Sequence, residues 1–182
     1  FSIVKNLNKN KFNSFVICTI ERGPLEEKFK NINIPVHLIG SDRFYNPITI
    51  LKMIIFIKKH KIQVLHSHQY FPDIISRISG YISKVPLIYS TYHNIYPWKE
   101  SKKFKNKLKV LIDKFTANNF TTMNIAVSTA VKNYHQRILK LSKNKIMIIN
   151  NFIDKLFLPS INVQSIKKAI CKPIITNEKM FI

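Results

Sequence analysis

Short apolar runs alternate with amphipathic segments along most of this 182-residue chain. The apolar runs are rich in β-branched and aromatic residues, as strands are, and the amphipathic segments repeat their apolar positions with the period of a helix. Strands are predicted at 12–20, 35–39, 63–66, 85–90, 123–127 and 145–149. Helices are predicted at 25–30, 47–61, 72–84, 100–118 and 128–141. Because strand and helix strictly alternate, the pattern predicts an α/β fold with a doubly wound parallel sheet and right-handed crossovers.

The two longest predicted helices each carry an apolar face. In the helix at 47–61 this face consists of Ile50, Met53, Ile54 and Ile57. In the helix at 100–118 it consists of Phe104, Leu108, Leu111, Ile112 and Phe115. Apolar positions at this spacing indicate amphipathic helices of a globular domain.

The regular pattern ends near Pro159, and a single further apolar run follows it at 173–176. We therefore expect one domain over residues 1–159, with a linker and the beginning of a second domain over residues 160–182. The chain opens with Phe1 rather than Met, in what looks like the middle of a helix. We expect it to be a fragment that is truncated at both ends.

Composition narrows the class of protein. Hydrophobic residues make up 46% of the chain, which favours a folded domain over a disordered segment. Cys18 and Cys171 form neither a disulfide framework nor a metal-ligand pattern, so a reducing compartment is favoured. The longest apolar stretch, at 48–57, is far shorter than the roughly 20 residues that a membrane span needs. With no signal peptide visible, we expect a cytoplasmic location, with the inner face of the membrane as a peripheral site.

The net charge of +21 leaves three interpretations open. Only Arg22, Arg43, Arg77 and Arg137 are arginines, and lysine is spread along a chain that is also crowded with Asn and Ile. The favoured interpretation is a composition bias in which lysine fills solvated positions. Attraction to an anionic membrane surface is the second. Specific nucleic-acid binding is the least favoured, because bidentate recognition of phosphates and bases uses arginine.

Two apolar runs end in histidine-bearing tips, and these are the most informative positions. The first run is VLHSH at 64–68, which contains His66 and His68, and the second is LIYSTYH at 87–93, which ends at His93. On an extended segment His66 and His68 point to the same side. Ligands of open α/β sheets lie outside the carboxyl ends of the strands, so we expect the tips to share one edge of the sheet. Substrate contact is favoured over hydrogen bonds to loop backbone and over a zinc site.

Ser128 and Asn151 follow the two later strands and are weaker candidates for contact with a substrate. Ser128 leads from a strand into a helix, where it is expected to be the N-cap, beside free N–H groups that could hold a phosphate or a hydroxyl. Asn151 lies in a turn where Asn and Asp usually brace their own backbone. No glycine-rich phosphate loop is present, and no catalytic triad or suitable pair among the nine carboxylates is legible.

Four segments together resemble the N-terminal domain of the family-4, GT-B-fold glycosyltransferases. VLHSH at 64–68 is similar to the family's Asp-Val-Val-His-x-His strand, and YSTYH at 89–93 is similar to its Thr-x-His strand end. NIAVS at 124–128 matches its Ile-Ala-Val-Ser strand, and INNFID at 149–154 matches its Ile-Pro-Asn-Gly-Val-Asp turn. The four occur in the family's order at compatible spacing, over residues 1–159.

The resemblance implies a Rossmann-like domain that forms the acceptor-side half of a retaining glycosyltransferase. In such enzymes a second domain holds the nucleotide sugar, and transfer needs no metal and no cofactor. The family's histidine near the transferred sugar corresponds to His93, with His66, His68, Ser128 and Asn151 as expected substrate-binding residues. The resemblance further implies that the first strand precedes Phe1 and that the donor domain follows Ile182, so the fragment alone should be inactive.

The expected partners are a nucleotide sugar and a glycan or lipid-linked acceptor of cell-surface polysaccharide or glycolipid synthesis, without specific nucleic acid. The alternative from a different class is a non-catalytic basic module that binds an anionic polymer, either nucleic acid or an anionic membrane surface, at the same edge of the sheet.

Overall fold

The computed structural model describes residues 1–21, 23–40 and 46–151. Its helices are α1 (Ser2–Asn6), α2 (Glu26–Lys30), α3 (Pro47–Lys59), α4 (Tyr70–Ile82), α5 (Phe104–Asn119) and α6 (Thr129–Leu139). Its strands are β1 (Val16–Cys18), β2 (Val36–Leu38), β3 (Val64–His68), β4 (Leu87–Tyr92), β5 (Met123–Ala126) and β6 (Ile146–Ile148). Short 3₁₀ helices are formed by Pro97–Glu100 and Lys143–Lys145. The predicted domain boundary at 159 and the segment 160–182 lie outside the described residues.

All the strand pairs are parallel, and the order of the larger sheet is β3-β4-β5-β6. The predicted parallel α/β class is therefore confirmed. The predicted single sheet is divided in two, because β1 and β2 pair with each other and no hydrogen bond within the described residues joins them to β3. A groove of about 450 Å³ lies between β1 and β3 and is lined by residues of both strands.

The two sheets nevertheless share one hydrophobic core. Ile39, after β2, packs in a buried cluster with Met53 and Ile57 of α3 and with Leu65 and Ile88 of the larger sheet. The predicted apolar face of α3 is thus used as expected. Helix α4 approaches the sheet closely at Gly80, where an added Cβ would lie 2.8 Å from Ile88 Cδ1 and would force that side chain to move.

Several element ends differ from the prediction for identifiable reasons. Strand β3 continues to His68 and β4 to Tyr92, two residues further than predicted, because each stays in register with its neighbour up to that point. Helix α4 begins before Pro72, which falls in the first turn, where the missing N–H costs no helical hydrogen bond. The predicted helix at 100–118 begins at Phe104, since extended backbone at Ser101 separates it from the preceding 3₁₀ helix.

Helix α5 buries the side opposite to its apolar face. Asp113, Thr116 and Ala117 are buried against the domain, whereas Phe104 is 79% exposed and Leu111 is 59% exposed. On the buried side, the Asp113 carboxylate contacts Arg77 and Lys99 inside the domain. None of the described helices is both long and apolar enough to cross a membrane.

Candidate functional site

Three histidines meet at the carboxyl end of the larger sheet. His66 and His68 alternate with the buried Ser67 along β3, so both imidazoles lie on one face of the sheet, with ring centroids 4.4 Å apart. His68 Nδ1 lies 2.9 Å from Nε2 of His93, which directly follows β4, and the two rings share a hydrogen bond. His66 Nε2 shares a second hydrogen bond of 2.7 Å with Thr91 Oγ1. The structure therefore brings the three histidine positions together.

Burial keeps these imidazoles neutral. It lowers the pKa of His66 to about 4, with a smaller contribution from the charge of His93. It lowers the pKa of His68 to about 3, helped by the charges of His66 and His93, and it also lowers the pKa of the more exposed His93. A neutral imidazole donates from one nitrogen and accepts at the other. At neutral pH the cluster can thus hydrogen-bond hydroxyl groups, and it does not act as a set of cations.

The geometry of the cluster does not resemble a metal site. His68 and His93 direct ring nitrogens at each other rather than at a common point. Among the residues that the structure describes, no group of three or more His, Cys, Asp or Glu side chains is placed to hold a metal ion.

Ser128 and Asn151 follow the next two strands at the same edge. Ser128 comes two residues after β5 and is the N-cap of α6, with its Oγ accepting from Val131 N at 3.3 Å. Asn151 is exposed and follows β6, beyond the hydrogen bond from Ile149 N to Ala126 O. Ser128 therefore has the capping role that its position predicts. The structure shows no contact that assigns either residue to a substrate.

A buried ionic network lies on the opposite face of the same strands. Arg77 of α4 is completely buried and donates to Ser90 Oγ (2.9 Å), Asp113 Oδ1 (2.7 Å) and Tyr92 Oη (2.9 Å). Ser67 donates to Asp73 Oδ1 at 2.7 Å, which joins the end of β3 to the first turn of α4. These hydrogen bonds tie α4 and α5 to the strand ends that carry the histidines.

The pKa values of the two carboxyl groups in the network follow from burial and from the cations that lie near each of them. Burial raises the pKa of Asp73 to about 7, although the nearby Arg77 opposes the change. Burial would also raise the pKa of Asp113, but Lys99 and Arg77 both contact this carboxylate and hold its pKa below the usual value. Asp113 is therefore the ionised centre of the network.

Lys99 anchors the loop that follows His93. Its ammonium group donates to Asp113 Oδ2 and lies 5.2 to 5.7 Å from the ring centroids of four aromatic residues. The four aromatic residues are Tyr70, Tyr92, Tyr96 and Trp98. Cation–π contacts of this kind are strengthened by desolvation. They hold the chain beyond β4 against the domain.

Helix α6 holds the same loop from its other side. His135 Nε2 donates to Asn94 O at 3.0 Å, and its ring stacks on Tyr92 with a centroid distance of 3.9 Å. Tyr134 Oη donates to Tyr96 O. The backbone around His93 is thus fixed by contacts from both α5 and α6.

Sequence reasoning did not find this network. The carboxylates look scattered in the sequence, yet the fold places Asp73 and Asp113 around one arginine. One pattern was available in advance, because Asp73 and Arg77 are four residues apart in a helix that is otherwise mostly apolar. A charged pair at that spacing among core positions indicates buried partners elsewhere in the chain.

Comparison with known proteins gives a family and a fold. The model described as Glycosyltransferase Family 4 matches residues 1–155. No curated protein matches the sequence significantly. The structure of Anabaena Alr3699/HepE in complex with UDP is similar at 14% identity and a TM-score of 0.64, covering 85% of this chain and 41% of that one. The same Anabaena protein in complex with UDP and glucose is similar at 15% identity and a TM-score of 0.62, covering 85% and 42%.

A glycosyltransferase from Rickettsia africae ESF-5 is similar at 18% identity and a TM-score of 0.57, covering 92% of this chain and 43% of that one. The chain therefore spans less than half of the length of these solved structures, and at such low identity the likeness concerns the fold. The family match confirms the resemblance that the four sequence segments indicated. The chain belongs to Glycosyltransferase Family 4, and its described residues form a Rossmann-like α/β domain.

Proposed function

We propose that this domain is the acceptor-binding half of a retaining glycosyltransferase. The enzyme moves a sugar from a nucleotide-sugar donor to a glycan or lipid-linked acceptor in the synthesis of cell-surface polysaccharide or glycolipid. It uses no metal and no other cofactor. Membership of the family supports transfer, and the histidine edge of the sheet supports a sugar-binding role for this half.

The observation that carries the proposal is the cluster of three neutral imidazoles at the carboxyl end of parallel strands. Sugars present many hydroxyl groups and no charge, so neutral groups that both donate and accept hydrogen bonds suit them. His93 is the least buried of the three histidines, and its ring is oriented by the hydrogen bond to His68. In this proposal His93 contacts the transferred sugar, while His66 and His68 set the position of its ring and bind hydroxyl groups.

The donor in this proposal is a sugar attached to a nucleoside diphosphate. Its support is that the Anabaena structures contain UDP, or UDP and glucose. Ser128, at the N-terminus of α6, and Asn151 would contact the substrate from the neighbouring strand ends. Residues 1–182 alone would not transfer sugar, because the groups that stabilise the departing diphosphate would lie in a second domain. The location would be cytoplasmic, at the inner face of the membrane.

The test is a comparison of His93 variants in the full-length protein, assayed against a panel of nucleotide sugars. We expect His93→Ala to lower kcat by about 100-fold, near the loss that follows removal of one preorganised hydrogen-bond donor, while the melting temperature hardly changes. His93→Gln, which keeps one donor and one acceptor, should recover part of this loss. His37→Ala, a histidine of β2 outside the cluster, is the matched control and should retain full activity.

Three results would count against the proposal. Equal losses of activity and melting temperature in His93→Ala would make His93 a structural residue. Unchanged activity would remove it from the site. Binding of an anionic polymer with no transfer from any nucleotide sugar would favour the non-catalytic basic module instead.

A further inference from the structure

Helices α3, α4 and α5 form one layer, and large apolar side chains are exposed on α3, on α5 and at the C-terminal end of the otherwise covered α4. Helices α4 and α5 are successive right-handed crossovers between adjacent parallel strands, which places them on one face of the sheet, and α3 packs on α4. The large hydrophobic side chains exposed on these helices have between 49% and 79% of their surface accessible to solvent. They are Ile48, Leu51 and Ile55 on α3, Tyr81 and Ile82 on α4, and Phe104, Leu108, Leu111 and Phe115 on α5.

The exposed residues of α5 form a narrow, continuous stripe. Positions 104, 108, 111 and 115 are spaced by three or four residues and lie on one side of the helix, opposite the buried Asp113. The stripe continues through aromatic contacts, since the ring of Phe115 lies edge-on to Phe120 at 5.3 Å and Phe120 stacks on Tyr81 at 4.1 Å. Large apolar side chains that adjoin one another on the surface of a folded protein are typical of interaction sites.

The charges of this surface have one sign. The lysines on the exposed sides of these helices are Lys52, Lys58 and Lys59 on α3 and Lys105, Lys107 and Lys114 on α5, whereas Lys109 of α5 packs on the rings of Phe71 and Trp98. The carboxylates on these helices, all of whose residues the structure describes, are Asp73 and Asp113, and both are buried around Arg77. The exposed side chains of the three helices thus combine apolar groups with positive charge that no carboxylate of the same helices compensates.

We propose that the outer surface of α3, α4 and α5 docks on an anionic lipid bilayer. Apolar side chains flanked by lysines on the same helix are the pattern of helices that lie in the interface of a membrane. Each lysine near an anionic leaflet adds to the attraction. A protein partner fits less well, because lysine is depleted in the cores of protein interfaces. The inference rests on the membrane location given in the proposed function, but it concerns a surface other than the histidine edge, so vesicle binding and sugar transfer test the two proposals separately.

Vesicle co-sedimentation of the full-length protein tests the proposal. The probes are vesicles of phosphatidylcholine alone and vesicles of phosphatidylcholine and phosphatidylglycerol in equal amounts. We expect strong binding to the mixed vesicles, weak binding to the neutral ones, and loss of binding at high salt, since exposed charges are screened. Lys105→Glu with Lys107→Glu, and separately Leu108→Ser with Leu111→Ser, should each lower the partition coefficient at least about tenfold.

Matched controls make equivalent changes of charge and apolar surface outside the helix layer. Lys28→Glu with Lys143→Glu changes the net charge equally, and Leu25→Ser with Met147→Ser removes two apolar side chains that are each 42% exposed. Both control variants should bind the mixed vesicles like the wild type. All variants should keep the wild-type circular dichroism spectrum, because the altered residues are exposed.

Several outcomes would overturn the proposal. Equal binding of wild type and both α5 variants to the mixed vesicles would show that this surface is not used. Absence of wild-type binding would exclude a membrane as the occupant. A dimer that dissociates in the Leu108→Ser, Leu111→Ser variant without any vesicle binding would assign the surface to a second copy of the protein.

Discussion

Replacing Arg77 with methionine tests how strongly the buried ionic network supports the site. Methionine keeps a long flexible side chain but removes the guanidinium group, which makes hydrogen bonds to Ser90, Asp113 and Tyr92 of 2.7 to 2.9 Å. Arg77 and Asp113 are both almost completely buried. The variant therefore leaves a buried carboxylate without one of its two cationic partners, and water has no access to replace it.

The expected loss of stability follows from that burial. Removing one partner of a buried ion pair costs about 3–5 kcal/mol, because the remaining charge is left uncompensated. A typical domain is stable by about 5–15 kcal/mol, so the change would use a large part of the total. For a domain of this size, about 2–4 °C of melting temperature corresponds to each kcal/mol, which gives a decrease of about 6–20 °C.

Arg137→Met is the matched control, since the substitution is the same and only burial differs. Arg137 Nη2 lies 2.6 Å from Glu100 Oε1, but these two side chains are 65% and 47% exposed. Exposed ion pairs contribute about 0–1 kcal/mol, so this variant should melt within about 4 °C of the wild type. Thermal unfolding followed by circular dichroism measures both variants under the same conditions.

The pH dependence of the difference provides a second criterion. In Arg77→Met the carboxyl group of Asp113 loses a cation that lowers its pKa, so it should accept a proton more readily as the pH falls. The difference in melting temperature between Arg77→Met and the wild type should therefore become smaller at acidic pH. Equal melting of Arg77→Met and Arg137→Met, or a gap that is the same at every pH, would refute the reasoning and assign the effect to packing alone.

Two further predictions concern titration and capping. Burial lowers the pKa of His66 to about 4, of His68 to about 3 and of His135 to about 4, whereas histidines of the unfolded chain titrate near 6.5. Between these pH values the unfolded chain therefore binds more protons than the folded protein. The free energy of unfolding should then fall as the pH drops below about 6.5. Asp73, with its pKa raised to about 7, acts in the opposite direction, but one carboxyl group opposes three imidazoles. Urea unfolding across this pH range measures the sum, and stability that is constant or rising toward pH 4 would contradict it. Ser128→Ala should cost about 1 kcal/mol by removing the N-cap of α6, and Ser128→Asn, which can cap, should restore stability, whereas equal unfolding of all three proteins would show that the cap contributes nothing.

The local elements could be predicted because their causes are local. Strands such as Val64–His68 and helices such as Pro47–Lys59 follow from the period of their apolar residues, and the helix start at Ser128 follows from capping chemistry. The grouping of His66, His68 and His93 was also predictable. Parallel strands in one sheet have their carboxyl ends at the same edge, so polar tips on adjacent strands become neighbours.

The ionic network depended on contacts that the chain makes over long separations. Arg77 and Asp113 are 36 residues apart, and nothing in the intervening sequence indicates that α4 and α5 pack with these side chains facing each other. The direction of α5 was decided in the same way. By itself, its stripe of Phe104, Leu108, Leu111 and Phe115 would suit the core, but in the structure the opposite side faces inward, with Asp113 in its ion pairs.

The amino-acid sequence by itself thus determined the α/β alternation, the family and the edge of the sheet where the histidines meet. Only the tertiary structure decided the protonation of those histidines and the exposure of the apolar surface on α3, α4 and α5. The physical reason is that periodicity and capping act between residues a few positions apart, whereas desolvation depends on every segment that packs around a group. Asp113 of α5 is an example, since its buried carboxylate contacts Arg77 and Lys99, which the sequence does not place beside it.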